Sequence, residues 1–253
     1  MAETVRVAVA GSRGRMGSLS CDAIEKEPDL ELVARIEKSD PFEERLEASR
    51  PQVLLDFSVP DAVDGHVETA IELGIRPVIG TSGLARDRVS VFQERCREID
   101  LGGIVAPNFS LGALLLMRLA VEAGRHLTQV EILELHHDRK IDAPSATAIR
   151  TAELMAQSRS LDPCSGSTAP VPACEEKVPG VRGGEVQGIR IHSVRLPGLL
   201  AHQEVLLGGP GQLLTLRHDT FDRTAFLPGI LLALRKVSEL DRLVVGLENV
   251  LWP

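Results

Sequence analysis

The densest chemistry in the chain lies in fifteen residues, Glu134-Leu-His-His-Asp-Arg-Lys-Ile-Asp-Ala-Pro-Ser-Ala-Thr-Ala148. An imidazole changes charge near neutral pH, so His136 is able to deliver a proton. Lys140 adds a fixed positive charge. Asp142 to Thr147 reads as a helix start, with Pro144 at the first helical position and small residues after it. The unsatisfied N–H groups of a helix start attract an anion, and a carboxylate is one. A proton donor beside two anion-binding features suits a small acidic substrate that must be protonated. The same residues also fit a plain polar strand end with a solvated loop lysine. No metal is expected. Adjacent histidines on a strand point to opposite faces, and no cysteine or glutamate near them stands at a usual zinc spacing.

These side chains need a frame, and the flanking patterns supply one. Val130 to Leu135 alternates like a strand, while Ala148, Ile149, Ala152, Leu154 and Met155 recur at helical spacing. The stretch therefore sits on a strand-to-helix turn, where packed elements hold the backbone and polar groups face a cleft.

A second chemical signal opens the chain. Val5 to Ala10 is a short apolar strand, followed at once by Gly11-Ser-Arg-Gly-Arg-Met-Gly17 and a helix with Met16, Leu19, Ala23 and Ile24 on one face. Strand, glycine turn and helix make a phosphate cradle, because glycines let a pyrophosphate approach the backbone and the helix N–H groups meet it. The spacing is G-x-x-G-x-x-G rather than G-x-G-x-x-G, so a tight turn without a ligand is the competing reading. A second strand, Leu30 to Ile36, ends at Glu37 and Lys38. Glu37 fits an adenosine ribose, the NAD preference, and Lys38 fits a 2′-phosphate, so NADH and NADPH both remain open.

The pattern then repeats. Val53 to Phe57 is a strand, Asp61 caps a helix carrying Val63, Val67, Ala70 and Ile71, and Val78-Ile79 runs into Gly80-Thr81-Ser82-Gly83. A helix around Val89, Phe92, Cys96 and Ile99 leads to strand Gly103 to Ala106 and to Pro107-Asn108-Phe109-Ser110. Alternating strands and helices imply a parallel sheet, whose ligands bind at the carboxyl ends of the strands. The Gly11–Gly17 turn, Glu37, Gly80–Ser82 and Ala106–Phe109 all occupy such ends.

Beyond the helix Leu111 to His126 the pattern changes. About Ser158 to Gly188 the chain is rich in Pro, Gly and Ser and reads as a long loop. Period-two runs follow at Ile189–Leu196, His202–Leu207 and Leu213–His218, the last two joined by a hairpin at Gly208-Gly-Pro-Gly211. His192, His202 and His218 read as sheet positions with satisfied rings. Thr224 to Leu240 reads as a final helix with Leu227, Ile230, Leu231 and Leu234 apolar.

With 253 residues the chain has room for one or two domains with a sizeable core. A net charge of -8 argues against nucleic acid or an anionic membrane as a partner. Cys21, Cys96, Cys164 and Cys174 form no Cys-x-x-Cys pair and read as reduced thiols, which points to the cytoplasm. Glu3 and Arg6 interrupt the start before any apolar run, so no signal peptide is expected, and no stretch reaches about 18 uncharged apolar residues.

Three stretches resemble the 4-hydroxy-tetrahydrodipicolinate reductase (dihydrodipicolinate reductase) family. They are Gly11–Gly17 with its Gly-Arg-Met-Gly ending, Gly80-Thr-Ser-Gly83 with Ala106-Pro-Asn-Phe-Ser110, and above all His136 to Ala148. Leu199–Val205 and Arg217-His-Asp219 extend the likeness. It implies an α/β Rossmann-like nucleotide-binding domain, residues 1–109 and 220–253, and an inserted α+β domain with a mostly antiparallel sheet, residues 110–219. The inserted domain would bind the substrate and build a homotetramer. The implied reaction passes a hydride from NADH or NADPH to a cyclic dicarboxylate, with loss of water, in lysine biosynthesis. By this resemblance His136 handles the proton and Lys140 is a second donor. His137, Ala146 and Thr147 contact the substrate. Gly11, Ser12, Arg13, Gly14, Arg15, Met16, Glu37, Gly80, Thr81, Ser82, Ala106, Pro107, Asn108 and Phe109 contact the nucleotide. Ala146 stands where the family usually has glycine, a change that negative φ tolerates. Arg13 replaces a small residue of some relatives and is placed to reach a cofactor phosphate.

Two other readings compete: a nicotinamide-dependent reductase of the same architecture acting on another small acid, and a nucleotide sensor without catalysis.

Overall fold

The computed structural model of the chain describes residues 4–161 and 175–252. It divides into two compact units, one of Met1–Leu111 with Arg223–Pro253 and one of Gly112–Asp222.

The first unit alternates strands and helices: β1 (Val5–Ala10), α1 (Arg15–Ile24), β2 (Leu30–Ile36), α2 (Phe42–Ser49), β3 (Val53–Asp56), α3 (Pro60–Glu72), β4 (Arg76–Ile79), α4 (Arg86–Glu98) and β5 (Gly103–Val105). The second unit takes up the chain within α5 (Leu111–Gly124) and adds β6 (Gln129–His136), α6 (Ala146–Leu161), β7 (Gly184–Val186), β8 (Ile189–Arg195), β9 (Ala201–Gly209) and β10 (Gln212–Thr220). The chain then returns to the first unit through α7 (Leu227–Lys236) and β11 (Leu243–Val245).

In the first unit six strands lie in the order β11-β5-β4-β3-β1-β2, every pair parallel. Val7 to Ala10 and Val53 to Leu55 are buried, as continuous apolar strands covered on both faces must be. β2 lies on one side of β1 and β3 on the other, so the strand order switches at β1. That switch opens a crevice at the carboxyl ends of the strands. Ala8, Ala34, Leu46, Leu54 and Ala70 pack in one buried cluster, and Val63, Val67, Ile79, Phe92 and Leu243 in another.

Several local expectations shift. The buried residues of α1 are Gly17, Ser20, Cys21, Ala23 and Ile24, so Ala23 and Ile24 fall as expected, while Met16 and Leu19 are only half-buried because the close approach falls on Gly17. Asp61 does not cap α3: Pro60 takes the first helical position, and Val59 precedes it without a side-chain cap. Ile99 lies past the end of α4 and is exposed. The expected helix 224–240 is an α-helix only over Leu227–Lys236, with 3₁₀ turns at each end. α2 and β11 add to the expected set. α2 buries only Leu46, so it shows no apolar stripe. β11 is three residues long and becomes a strand by pairing with β5.

The sheet of the second unit runs β10-β9-β6-β8-β7. It is mostly antiparallel, with β6 and β8 parallel. Ile132, Ile191, Val205 and Leu207 pack under Leu116, Ala120, Ala148, Ala152 and Met155 of α5 and α6. The supposed loop from Ser158 is shorter at both ends, since α6 continues to Leu161 and β7 forms at Gly184. Cys164 and Cys174 lie outside the described residues.

Candidate functional site

Five neighbouring strands of the first unit deliver loops to one edge of their sheet: Gly11 after β1, Glu37 after β2, Phe57 after β3, Gly80 after β4 and Ala106 after β5. The first of these turns is set by backbone demands. Gly11 has φ +71°, and a Cβ there would stand 2.5 Å from the Phe57 carbonyl oxygen. A Cβ on Gly17 would overlap the carbonyl oxygen of Gly11. Gly14 caps α1 with extended backbone and no side-chain bond. The N–H groups of the first turn, starting with Arg15 and Met16, therefore lack intrahelical partners. A pyrophosphate fits such a start, because Gly14 presents no side chain in its way.

Glu37 is built into this turn. One of its carboxylate oxygens accepts from Ser12 Oγ at 2.5 Å and from the Arg13 N–H at 2.7 Å. A cleft of about 290 Å³ opens where β1 and β3 end, with Gly11, Gly14, Glu37, Lys38, Phe57 and His66 in its lining. A second cavity of about 560 Å³ shares Glu37 and Asp40 with it and adds Ser12, Arg13, Ser18, Arg35, Ser39 and Arg45. Arg15, Met16, Gly80–Ser82 and Ala106–Phe109 line neither.

The last two groups are tied to the same edge in another way. A Cβ on Gly80 would strike the Phe57 ring and come 2.9 Å from that of Phe109, and the two rings meet edge to face at 5.8 Å. Thr81 Oγ1 donates to Asp56 Oδ1 at 2.6 Å. Asn108 Oδ1 accepts the Ser110 N–H at 2.8 Å, which closes the turn after Pro107. Asp56, fully buried at the end of β3, also accepts from the Ser58 N–H, from Ser58 Oγ and from His66 Nδ1. Burial alone would raise its pKa; the bonds from His66, Thr81 and Ser58 outweigh it and hold the carboxyl below its ordinary range. Asp56 and His66 escaped the sequence reading, although a charge closing an apolar strand was a usable signal.

In the second unit, β6 ends on His136 and α6 starts at Ala146. Pro144 is not the first helical residue. Ser145 is the cap, its Oγ accepting the Ala148 N–H at 3.2 Å, and Pro144 lies one position earlier. Ala146 is helical and is not among the positive-φ residues, which outside glycine are Arg50, Asp100 and Gln187 among the described residues. Its Cβ is thus tolerated.

His136 Nδ1 lies 2.5 Å from Glu134 Oε2. Arg195, opposite His136 in the β6–β8 register, grips both oxygens of that carboxylate, at 3.0 and 2.8 Å, and donates to the Asp142 carbonyl at 2.7 Å. Burial would raise the Glu134 pKa; the bonds from His136 and Arg195 prevail and bring it to about 2. Lys140 Nζ lies 2.7 Å from both oxygens of Asp142, so its charge is shared rather than open. His137 Nδ1 is buried and makes no hydrogen bond among the described residues. Glu134 and Arg195 were not singled out in the sequence. The available clue was that Glu134 falls on the inward face of β6 with Ile132.

The sheet, glycine turn and strand-end acid place the first unit in the Rossmann-like class of dinucleotide-binding oxidoreductases. Residues 5–109 match the family model described as dihydrodipicolinate reductase, N-terminus, and residues 112–251 the one described as its C-terminus. The chain belongs to the dihydrodipicolinate reductase family. It is 45% identical to the 4-hydroxy-tetrahydrodipicolinate reductase of Moorella thermoacetica over 99% of each chain. To that of Lysinibacillus sphaericus it is 41% identical, over 98% of this chain and 100% of the other. A dipicolinate-bound dihydrodipicolinate reductase from Paenisporosarcina sp. TG-14 superposes with a TM-score of 0.86 at 37% identity, over 97% of this chain and 99% of that one. The family and the fold expected from the sequence are both borne out.

Proposed function

We infer that the chain catalyses the NADH- or NADPH-dependent reduction of (2S,4S)-4-hydroxy-2,3,4,5-tetrahydrodipicolinate to tetrahydrodipicolinate, with loss of water, in lysine biosynthesis through diaminopimelate. The observation that carries this reading is the full-length identity with reductases of that name, in both units at once. The dipicolinate-bound relative points the same way, since dipicolinate is a ring with two carboxylates.

In this reading residues 1–109 with 220–253 hold the dinucleotide. Gly11 to Met16 receive the pyrophosphate, Glu37 the adenosine ribose, and Gly80–Ser82 with Ala106–Phe109 the nicotinamide end. The absence of a side chain at Gly14 and the first-turn N–H groups of α1 support that fit. When bound, the reduced nicotinamide supplies a hydride. Residues 110–219 hold the dicarboxylate. The start of α6 at Ala146 and Thr147 offers backbone donors to one carboxylate, and His137 and Lys140 meet the rest of the ring's charge. His136 delivers the proton that balances the hydride, through Nε2, because Nδ1 is taken by Glu134.

The test is a coupled assay with substrate generated in place and each cofactor in turn, on the native chain and on His136→Gln and Lys140→Ala. A fall in kcat of about 10²-fold or more is expected for His136→Gln. Native turnover in both variants would sink the roles, and no oxidation of either cofactor would sink the activity. Cofactor binding without turnover on any small acid would favour the sensor reading.

The same reading makes the enzyme a cytoplasmic homotetramer assembled through the second unit. Leu213 and Leu214 on the edge strand β10 are exposed, apolar surface suited to self-association. Cys21 and Cys96 are free and buried, as a reducing compartment allows. Light scattering is expected to return four chains; a monomer at micromolar concentration would remove this part.

A further inference from the structure

We propose that Glu134 is a positioning residue for His136, fixing which imidazole nitrogen faces the substrate, and that Arg195 holds Glu134 in that role. The proposal rests on the reading of His136 as the proton-handling group and adds how this chain prepares it.

The geometry starts from strand parity. Glu134 and His136 are two apart on β6 and so share a face. The carboxylate there makes four hydrogen bonds with three residues. Its Oε2 takes His136 Nδ1 at 2.5 Å and Arg195 Nη1 at 3.0 Å. Its Oε1 takes Arg195 Nη2 at 2.8 Å and the Ser145 N–H at 3.3 Å. With both oxygens engaged twice, the group cannot rotate without breaking bonds. Glu134 is wholly shielded from solvent. A carboxylate there stays ionised only if paired, and the two-pronged guanidinium supplies the pairing.

An ionised carboxylate accepts and cannot donate. The hydrogen on the 2.5 Å contact therefore sits on His136 Nδ1 in every protonation state of the ring. That leaves Nε2 as the nitrogen that gives or takes a proton. A histidine without such a partner exchanges between two neutral tautomers, only one of which leaves Nε2 free to accept a proton.

The charged groups around this unit are few. Arg195 comes from β8. Lys140 and Asp142 pair with each other in the loop that follows β6. The Asp142 carbonyl accepts from Arg195 Nη2 at 2.7 Å, so the guanidinium ties that loop to the same carboxylate. The helix start enters through the Ser145 N–H. One buried carboxylate thus connects His136, the Lys140 loop and the first residues of α6.

A buried Glu–Arg pair alone could be structural, so the test must separate acting through His136 from holding the fold. Four full-length proteins are compared: native, Glu134→Gln, His136→Gln and the double variant, each with kcat, KM for the dicarboxylate and equilibrium dissociation constants for NADH. Glu134→Gln is expected to lower kcat by about 30- to 100-fold, with NADH affinity within about two-fold of native. In the His136→Gln background the same change is expected to cost less than about two-fold, because the group it positions is gone. Equal losses in both backgrounds would overturn the proposal and leave a structural pair. Native-like kcat in His136→Gln would overturn the underlying reading as well, and the two failures are thereby distinct.

A measurement on the native enzyme covers the case in which Glu134→Gln does not fold. Nitrogen-15 imidazole spectra are expected to show His136 protonated at Nδ1, with a low-field proton resonance. His136 in the opposite tautomer, with hydrogen only on Nε2, would also overturn it.

Discussion

His66, half-buried, pairs with the buried Asp56, their facing atoms Nδ1 and Oδ2 lying 2.7 Å apart, with the imidazole stacked on Phe42 at 3.8 Å between centroids. The carboxylate that anchors this pair also takes bonds from Ser58 and Thr81. Asp56→Ala leaves those donors without an acceptor and is expected to destabilise by about 3–5 kcal/mol. Asp56→Asn, which keeps one acceptor oxygen, is expected to cost less. Urea unfolding of the native chain and both variants measures the order, and equal midpoints in all three would contradict it.

Acid should weaken the protein in a defined window. Glu134 has its pKa lowered from 4.5 to about 2, so it contributes stability that is complete above the unfolded value and lost as pH falls through the folded one. The loss amounts to about 3 kcal/mol between pH 5 and pH 2. Asp56, also lowered, adds to it with the same sign. Unfolding free energy followed against pH is expected to fall less steeply for Glu134→Gln than for the native chain. Parallel curves would exclude Glu134 as a source.

Gly17→Ala places a Cβ onto the Gly11 carbonyl oxygen. Because that oxygen is backbone, the turn itself must move. A destabilisation of about 1–3 kcal/mol is expected, together with a loss of NADH affinity that exceeds the loss of affinity for the dicarboxylate. Calorimetric titration of both ligands checks the pairing. A variant with native affinity for NADH would mean that the turn does not hold the pyrophosphate.

The cavity with Ser12, Arg13, Arg35 and Arg45 bears on cofactor choice. Arg35 is paired with Glu25, whereas Arg13 and Arg45 pair with no carboxylate among the described residues. A 2′-phosphate beside Glu37 is expected to draw on these two. Arg13→Ala and Arg45→Ala should each weaken NADPH by about ten-fold through a lost charge-assisted bond and leave NADH within about two-fold. Equal weakening of both cofactors would show that the arginines serve the turn rather than the phosphate.

The frame was readable because parallel strands carry long apolar runs and glycine turns announce themselves. Val5–Ala10, Leu30–Ile36 and the turn at Gly11–Gly17 needed no tertiary information. What escaped depends on partners far along the chain. Leu243–Val245 is a strand only because β5 is beside it. Glu134 looks like any polar residue in an alternating run until Arg195, which the register sets opposite His136, reaches across to it and reveals it as an ionised group in the core. Pro144 has the look of a first helical residue, yet the serine after it takes the cap. Lys140 reads as a fixed positive charge, but only the folded loop shows Asp142 paired with it.

The interruption of the first unit by Gly112–Asp222 also governs how a ribosome delivers this protein. β5 emerges early, yet its neighbour β11 is made only after the whole inserted unit. Until then one flank of a growing parallel sheet waits unpaired, and contacts so distant along the chain form slowly. The inserted unit, by contrast, is contiguous and able to fold first. Nascent chains halted before Leu243 should therefore show protease protection for residues 112–222 ahead of the nucleotide half, and the reverse order would refute this timetable.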